Sequence, residues 1–97
     1  MRYQIVLAPE AVEDMRALKP YLRPMVRDAM EVFLRHAPTR VSQSRIKRLR
    51  GLTRPQFRLR VGDVRVFYDV RESTVEVLAV VPKSEAEEWV RREGRVG

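Results

Sequence analysis

The sequence predicts an α+β fold in a single small domain that spans residues 1–97. Three observations support this prediction. The chain has 97 residues, which is the size of one ordinary domain. Two segments with the apolar spacing of helices lie near the N-terminus, and short β-type runs follow them. The predicted order β-α-α-β-β-β-α gives a curled antiparallel sheet with an N-terminal αα-hairpin packed on one face and a short C-terminal helix.

The N-terminal half contains a β-rich run, Arg2–Leu7, and then two helices. Pro9 suits the first turn of the first helix, and Pro20 interrupts it. The second helix is longer and ends before Pro38, because its apolar residues recur on one face. These apolar residues are Leu22, Met25, Val26, Ala29, Met30, Phe33 and Leu34.

The C-terminal half contains β-type runs and a last helix. The runs are Ile46–Leu52, Phe57–Val61, Val64–Val70 and Val75–Val81. The links between the last three runs are short, which predicts antiparallel neighbours. Ser84 and Glu87 have the spacing of a capping box, so a final helix should begin there. We expect this helix to pack on the same face of the sheet as the other two.

The composition excludes several classes of protein and site. No apolar run approaches the roughly 20 residues of a membrane span. No signal peptide is visible at the N-terminus, where Arg2–Leu7 has the composition of a strand. The chain has no cysteine and one histidine, His36, so it offers neither disulfides nor a cluster of soft metal ligands. We therefore expect a cytoplasmic protein without a metal or a cofactor.

The positive charge lies in one region of the chain. Between Arg40 and Arg65 there are nine basic residues and one acidic residue, Asp63, which give +8. The remainder of the chain therefore carries −1 of the total net charge of +7. A cluster of this kind is typical of a surface that binds a polyanion.

The centre of this region has the pattern of a β-hairpin. Gly62-Asp63 forms the two-residue loop, so Val61 pairs with Val64 and Phe57 pairs with Tyr68 at the other end. Directly opposed residues share a face of the sheet. One face is then apolar, and the other carries Arg58, Arg60, Arg65 and Phe67.

In this register Arg60 stands opposite Arg65, where like charges repel each other. One interpretation is a solvated strand face whose arginines pair with Asp69 or Glu76 on a neighbouring strand. The other is an anion site, because guanidinium groups bind phosphate through two parallel hydrogen bonds. In that case Phe67 offers a ring on which a base could stack.

Two stretches resemble the RelE/ParE superfamily of bacterial toxins. They are LRGL at Leu49–Leu52 and FRLRVGDVRVFY at Phe57–Tyr68. The order of elements is also similar over nearly the whole chain. RelE-type members of the superfamily enter the ribosomal A site and cut mRNA without a metal, whereas ParE-type members inhibit DNA gyrase.

The resemblance implies a set of site residues. The catalytic positions of RelE-type toxins correspond here to Arg58, Arg60, Arg65, Lys83 and Trp89. We expect the RNA-binding residues to be Arg45, Lys47, Arg48, Arg50, Arg54 and Phe67. The chain departs from the pattern in two ways, since Trp89 replaces a tyrosine, and Arg58 and Arg60 replace what are often lysines. Indole has no ionisable hydroxyl and arginine stays protonated, so neither is suited to act as a general base. Lys83 or the carboxylates of Glu85, Glu87 and Glu88 are then the candidates for proton transfer.

Two functions follow from the resemblance. The first is an endoribonuclease toxin that cuts ribosome-bound mRNA and so inhibits translation. The alternative is a ParE-like or attenuated toxin that binds DNA gyrase or nucleic acid without cleavage. Either function implies a cognate antitoxin protein and a hetero-oligomer with it, and no membrane.

Overall fold

The computed structural model describes residues 1–97 and contains three helices and five strands. The elements are β1 (Gln4–Leu7), α1 (Pro9–Ala17), α2 (Leu22–Leu34), β2 (Ile46–Arg48), β3 (Phe57–Val61), β4 (Val64–Arg71), β5 (Thr74–Pro82) and α3 (Lys83–Glu93). The predicted α+β class is confirmed. Strand β2 adds one short element to the predicted order and occupies the first part of the β-type run Ile46–Leu52. That run ends early because Gly51 takes a left-handed conformation, with φ of +78°.

The strands form one sheet in the order β1-β5-β4-β3-β2. Strands β3 to β5 are antiparallel neighbours, as predicted, and β2 pairs with β3 in the same antiparallel way. Strand β1 differs, because it pairs with β5 in parallel. Strand β4 already occupies one edge of β5, so the first strand of the chain takes the other edge. The sheet is therefore mixed.

The β3–β4 hairpin has the register that the sequence predicts. Its five pairs run from Phe57 opposite Tyr68 to Val61 opposite Val64. Gly62 has φ of +56° and Asp63 has a negative φ, which suits a two-residue turn with glycine first. Alternation then places every second side chain of both strands on the same face.

Helices α1 and α2 cover one face of the sheet and form the main core with it. The core residues of the two helices are Ala11, Met15, Leu18, Val26, Met30 and Leu34. Tyr68 extends this core from β4, where its ring stacks on Phe57 with 5.5 Å between centroids. Its hydroxyl donates a hydrogen bond of 2.6 Å to the carbonyl of Pro38. Burial raises the pKa of Tyr68 well above its ordinary value.

Helix α3 packs on the opposite face of the sheet, so the prediction that all helices share one face is wrong. It covers a second, smaller apolar cluster centred on Phe67, Ala79 and Val81. Strand β4 is consequently buried on both of its faces from Val64 to Asp69.

The capping box predicted at the start of α3 is also wrong. The helix begins at Lys83, one residue before Ser84, and its N-cap is Pro82. Proline fixes φ near the extended value that an N-cap needs, and Pro82 has φ of −60° and ψ of 148°. Ser84 therefore lies inside the first turn, and no side chain caps the helix. No helix of the protein is long and apolar enough to span a membrane.

Candidate nucleic-acid interface

A groove of about 390 Å³ lies between the β3–β4 hairpin and helix α3. The hairpin contributes its arginine-bearing face, and the helix contributes one side. We call this space the hairpin groove. Its lining residues are Leu49, Arg58, Arg65, Phe67, Ala86, Glu87, Val90 and Arg91.

Arg58 lies in the middle of β3 and is half-buried. Its neighbours across the sheet are Lys47 on β2 and Phe67 on β4. The Nε atom of Arg58 is buried and has no hydrogen-bond partner. A buried donor without a partner is uncommon and costs roughly 1–3 kcal/mol relative to a satisfied one. Arg58 therefore lines the hairpin groove with a charged side chain whose buried Nε donor is unused.

Arg65 is the most buried arginine of the site, with 6% of its surface exposed. Its Nη1 donates to the carbonyl of Gly62 at 2.7 Å and to that of Val64 at 3.1 Å. These bonds fold the side chain back onto the hairpin turn. Burial, followed by the nearby charges of Arg58 and Arg60, lowers the pKa of the Arg65 guanidinium below its ordinary value. Part of this side chain thus stabilises the turn, and its Nε and Nη2 atoms make no hydrogen bond.

Arg60 stands directly opposite Arg65, as predicted, but it does not line the hairpin groove. Its side chain is exposed and borders a separate depression beside α2, together with Phe33 and Arg45. The structure therefore brings Arg58 and Arg65 together and places Arg60 at a neighbouring surface.

None of these three arginines forms an ion pair, so the interpretation that they pair with Asp69 or Glu76 is wrong. Both carboxylates instead contact Arg54, from Asp69 Oδ2 to Nε at 3.5 Å and from Glu76 Oε1 to Nη2 at 3.5 Å. Asp69 also accepts a hydrogen bond of 2.8 Å from the N–H of Gln56. Its pKa is raised, because desolvation outweighs that bond and the attraction of Arg54. The charge of Arg54, predicted to bind RNA, is thus compensated within the fold.

Phe67 is covered by Trp89 of helix α3. The two rings stack with 4.7 Å between centroids and 10° between planes, and Phe67 is only 1% exposed. The sequence suggests that Phe67 presents a free ring for a base, and in this conformation that is wrong. Trp89 itself is half-buried. Phe67 and Trp89, which are both predicted to contact RNA, therefore contact each other in this structure.

Lys83 lies at the junction of β5 and α3 and is exposed. Its backbone N–H donates to the carbonyl of Asp63 at 2.7 Å, which fixes the start of α3 beside the hairpin turn. Its side chain is not among those that line the hairpin groove.

The other predicted RNA-binding residues lie around the edge strand β2. Lys47 and Arg50 are exposed. The guanidinium carbon of Arg45 lies 5.2 Å from the centre of the Phe33 ring, and that of Arg48 lies 5.1 Å from the centre of the Phe57 ring. Such contacts hold the side chains at the surface while their charge stays available. These residues therefore form a basic edge beside the hairpin groove.

Sequence reasoning missed Arg91 as a residue that lines the groove, and it left the role of Glu87 open. A signal was present, because positions 83, 87 and 91 are four residues apart and share one side of a helix. Arg91 Nη1 pairs with Glu88 Oε2 at 2.7 Å. No group of three or more His, Asp or Glu side chains is placed to hold a metal ion.

Comparison with known proteins identifies the family. Residues 5–87 match the family model described as the ParE toxin of type II toxin–antitoxin systems, parDE. A search of curated protein sequences gives no significant match.

Several solved structures have a similar fold. A chain of the archaeal RelE–RelB complex from Pyrococcus horikoshii OT3 has a TM-score of 0.69 at 21% identity, over 86% of this chain and 97% of that chain. A chain of the RelBE2 toxin–antitoxin complex from Mycobacterium tuberculosis has a TM-score of 0.68 at 26% identity, over 84% and 99%. A mutant of the E. coli toxin RelE in the free state has a TM-score of 0.69 at 22% identity, over 96% and 99%. The family model covers most of the sequence, and the chain therefore belongs to the ParE toxin family within the RelE/ParE superfamily of type II toxin–antitoxin systems.

Proposed function

We propose that this toxin is an endoribonuclease that cuts mRNA on the ribosome and does so without a metal ion. The observation that supports this function best is the pair of arginines in the hairpin groove. Arg58 and Arg65 lie on adjacent strands without an ion-pair partner, and Arg58 retains a buried, unpaired donor. Guanidinium groups bind phosphate through charge-assisted hydrogen bonds, so the groove suits one phosphate of an RNA backbone.

In this proposal Arg58 and Arg65 bind the scissile phosphate and stabilise the negative charge that develops on it. Preorganised donors of this kind contribute roughly 10²–10³ in rate each. Arg60 contacts a neighbouring phosphate from its own side of the hairpin. Lys83 assists proton transfer at the entrance of the groove. Trp89 leaves Phe67 and stacks on a base, so that both rings contact RNA in the bound state.

The basic edge formed by Arg45, Lys47, Arg48 and Arg50 holds the flanking RNA or ribosomal RNA. Binding through phosphates weakens steeply with salt, since bound counterions are released. We expect the triple charge reversal of Arg45, Arg48 and Arg50 to glutamate to weaken ribosome binding while the fold stays intact. Unchanged binding by the well-folded variant would exclude this role for the basic edge.

We also propose that a cognate antitoxin binds this toxin as a hetero-oligomer. Similar structures were solved as complexes, including the RelB–RelE antitoxin–toxin complex from Methanococcus jannaschii, whose TM-score is 0.67 at 18% identity. A protein with ribosome-bound mRNA as its substrate acts in the cytoplasm.

A second candidate function is inhibition of DNA gyrase or binding of nucleic acid without cleavage. The match to the ParE family model favours it. So does the stacked position of Trp89, because it covers Phe67 and leaves no free aromatic ring there for a base.

Cell-free translation followed by primer extension on the mRNA tests the first function, and a gyrase supercoiling assay tests the second. We expect new mRNA ends with wild-type toxin, in the presence or absence of EDTA. Arg58→Ala should lower the cleavage rate by about 10²–10³, and Lys83→Ala by about 10²–10⁴. Arg71→Ala, an exposed arginine at the far end of β4, is the matched control. Intact mRNA with every codon tried, together with loss of supercoiling, would establish the second function instead.

A further inference from the structure

Three carboxylates follow Lys83 in helix α3, and the structure separates them. Glu85 lies on another side of the helix, in a depression shared with Asp14. Glu88 is exposed and pairs with Arg91 at 2.7 Å. Only Glu87 lines the hairpin groove, where Arg58 and Arg65 also lie.

Glu87 has no structural duty that would explain its position. The sequence suggests that it closes a capping box with Ser84, but α3 begins at Lys83 and no side chain caps it. Glu87 takes part in none of the ion pairs of the protein, and its carboxylate makes no hydrogen bond. It is exposed at the groove, so both of its oxygens are free to accept a proton.

We propose that Glu87 is the general base of this toxin, the group that takes the proton from the attacking 2′-hydroxyl of RNA. This inference rests on the proposed ribonuclease function and answers a question that the arginines leave open. Guanidinium groups stay protonated and cannot accept that proton. A carboxylate that lies beside the phosphate-binding arginines can accept it directly or through one water.

The step balances as follows. The 2′-oxygen forms a bond to the adjacent phosphorus while its proton moves to a carboxylate oxygen of Glu87. The bond from phosphorus to the 5′-oxygen of the next nucleotide breaks, and that oxygen takes a proton from the Lys83 ammonium. The products are a 2′,3′-cyclic phosphate and a 5′-hydroxyl. Solvent then carries the proton from Glu87 back to Lys83, which restores both groups.

The other charged side chains that line the hairpin groove are cationic, and one of them, Arg91, pairs with the carboxylate of Glu88. Arg58 faces the groove from β3 and Arg65 faces it from β4. Helix α3 contributes Arg91 one turn after Glu87, and Lys83 lies one turn before Glu87, outside the groove lining. These cations are placed to bind the phosphate beside Glu87 and to stabilise the negative charge that develops on it in the transition state.

Glu87→Gln tests the proposal, because it removes the carboxylate and keeps the size of the side chain. We expect the rate of mRNA cleavage on ribosomes to fall by roughly 10²–10⁴, with ribosome binding unchanged. The rate of the wild type should rise with pH on the acidic side, and this acidic limb should disappear in Glu87→Gln. Glu87→Asp should recover part of the rate, which a purely structural role of the side chain would not explain.

Glu93→Gln is the matched control, since it neutralises another exposed carboxylate of the same helix, one that pairs with Arg92 and does not line the hairpin groove. It should cleave like the wild type. If Glu87→Gln cleaves at the wild-type rate, or keeps the acidic limb, the assignment of the base is wrong while the ribonuclease function stands. If the wild type itself cuts no mRNA, the proposed function fails and the base assignment fails with it.

Discussion

The stack between Phe67 and Trp89 determines how firmly helix α3 closes the hairpin groove. No residue of α3 is fully buried, so the helix depends on a few partly buried contacts. Those contacts come from Ala86, Trp89 and Val90, which pack on Phe67, Ala79 and Val81. Trp89 is the largest of them and stacks on Phe67 at 4.7 Å. We expect Trp89→Ala to open α3 without unfolding the sheet.

The magnitude follows from the burial of the ring. Removal of a fully buried aromatic side chain costs about 3–5 kcal/mol. Trp89 is half-buried, so we expect about 2 kcal/mol, of which the aromatic stack supplies about 0.5–1.5 kcal/mol. Because about 1.4 kcal/mol corresponds to a factor of ten, the equilibrium constant for opening α3 should rise by roughly 30-fold.

Hydrogen exchange of backbone amides measures this opening directly. Amides of α3 should exchange roughly 30-fold faster in Trp89→Ala, while those of β3 and β4 keep their protection, since they belong mainly to the core beneath α1 and α2. Glu88→Ala, an exposed change in the same helix, should alter α3 exchange by less than a factor of about three. Equal protection of α3 in Trp89→Ala and wild type would show that the stack does not hold the helix. Loss of protection throughout the sheet would show that α3 is part of one cooperative unit.

Three further predictions concern stability, and urea unfolding measures each of them. Tyr68→Phe removes the donor of a buried 2.6 Å bond to the carbonyl of Pro38, so it should lower the free energy of unfolding by about 1–3 kcal/mol. Desolvation raises the pKa of Asp14 in the folded state in spite of a hydrogen bond from a β5 N–H, so the wild type binds that proton more tightly when folded. Its stability relative to Asp14→Asn should therefore fall as pH rises from about 3 to about 7, and a rise would contradict the direction of the shift. Arg60→Gln removes a charge directly opposite Arg65 and should leave stability equal or up to about 1 kcal/mol higher, whereas a loss of several kcal/mol would reveal an unrecognised partner.

The local parts of the site could be predicted from the sequence because short-range geometry determines them. A two-residue turn at Gly62-Asp63 allows one register, and alternation then assigns every side chain of β3 and β4 to a face. The opposed pair Arg60 and Arg65 follows from that register alone. Strand β3 also begins and ends at the predicted residues, Phe57 and Val61, and α2 ends before Pro38 as predicted.

The position of α3 could not be predicted by the same reasoning, because it depends on which face of the sheet remains uncovered. Two signals were nevertheless present. Phe67 is an aromatic residue on a strand face otherwise occupied by arginine and aspartate. The run Val77–Val81 in β5 has no alternation, which is typical of a strand buried on both faces. Both signals indicate a second apolar layer, and α3 is the only element left to form it.

The role of Arg54 could not be predicted from the sequence, because it depends on contacts between segments that are far apart in the chain. The segment 49–56 crosses the end of the sheet and brings Arg54 to Asp69 and Glu76 on two other strands. The same segment meets the C-terminus, where the N–H of Arg95 donates to the carbonyl of Arg54 at 2.8 Å. Sequence spacing gives no access to such a contact. A count of basic residues therefore overestimates the charge available to a polyanion.

In the proposed RNA complex, the contacts that RNA makes can offset the cost of opening the hairpin groove. Trp89 borders a separate depression and stacks on Phe67 of the hairpin groove, a contact worth about 0.5–1.5 kcal/mol. Stacking of a base on an aromatic side chain contributes about 1–3 kcal/mol, so an RNA base can replace Phe67 as the partner of Trp89 with little net cost. The buried Nε of Arg58 has no partner before binding, and a phosphate that reaches it removes a penalty of about 1–3 kcal/mol. The opening cost of about 2 kcal/mol is then offset by the roughly 2–6 kcal/mol that one base and one phosphate contribute together. Because Trp89 is the single tryptophan of the chain, its fluorescence should report this exchange of partners when an RNA oligonucleotide is added. An RNA that binds without changing that fluorescence must contact the toxin outside the hairpin groove.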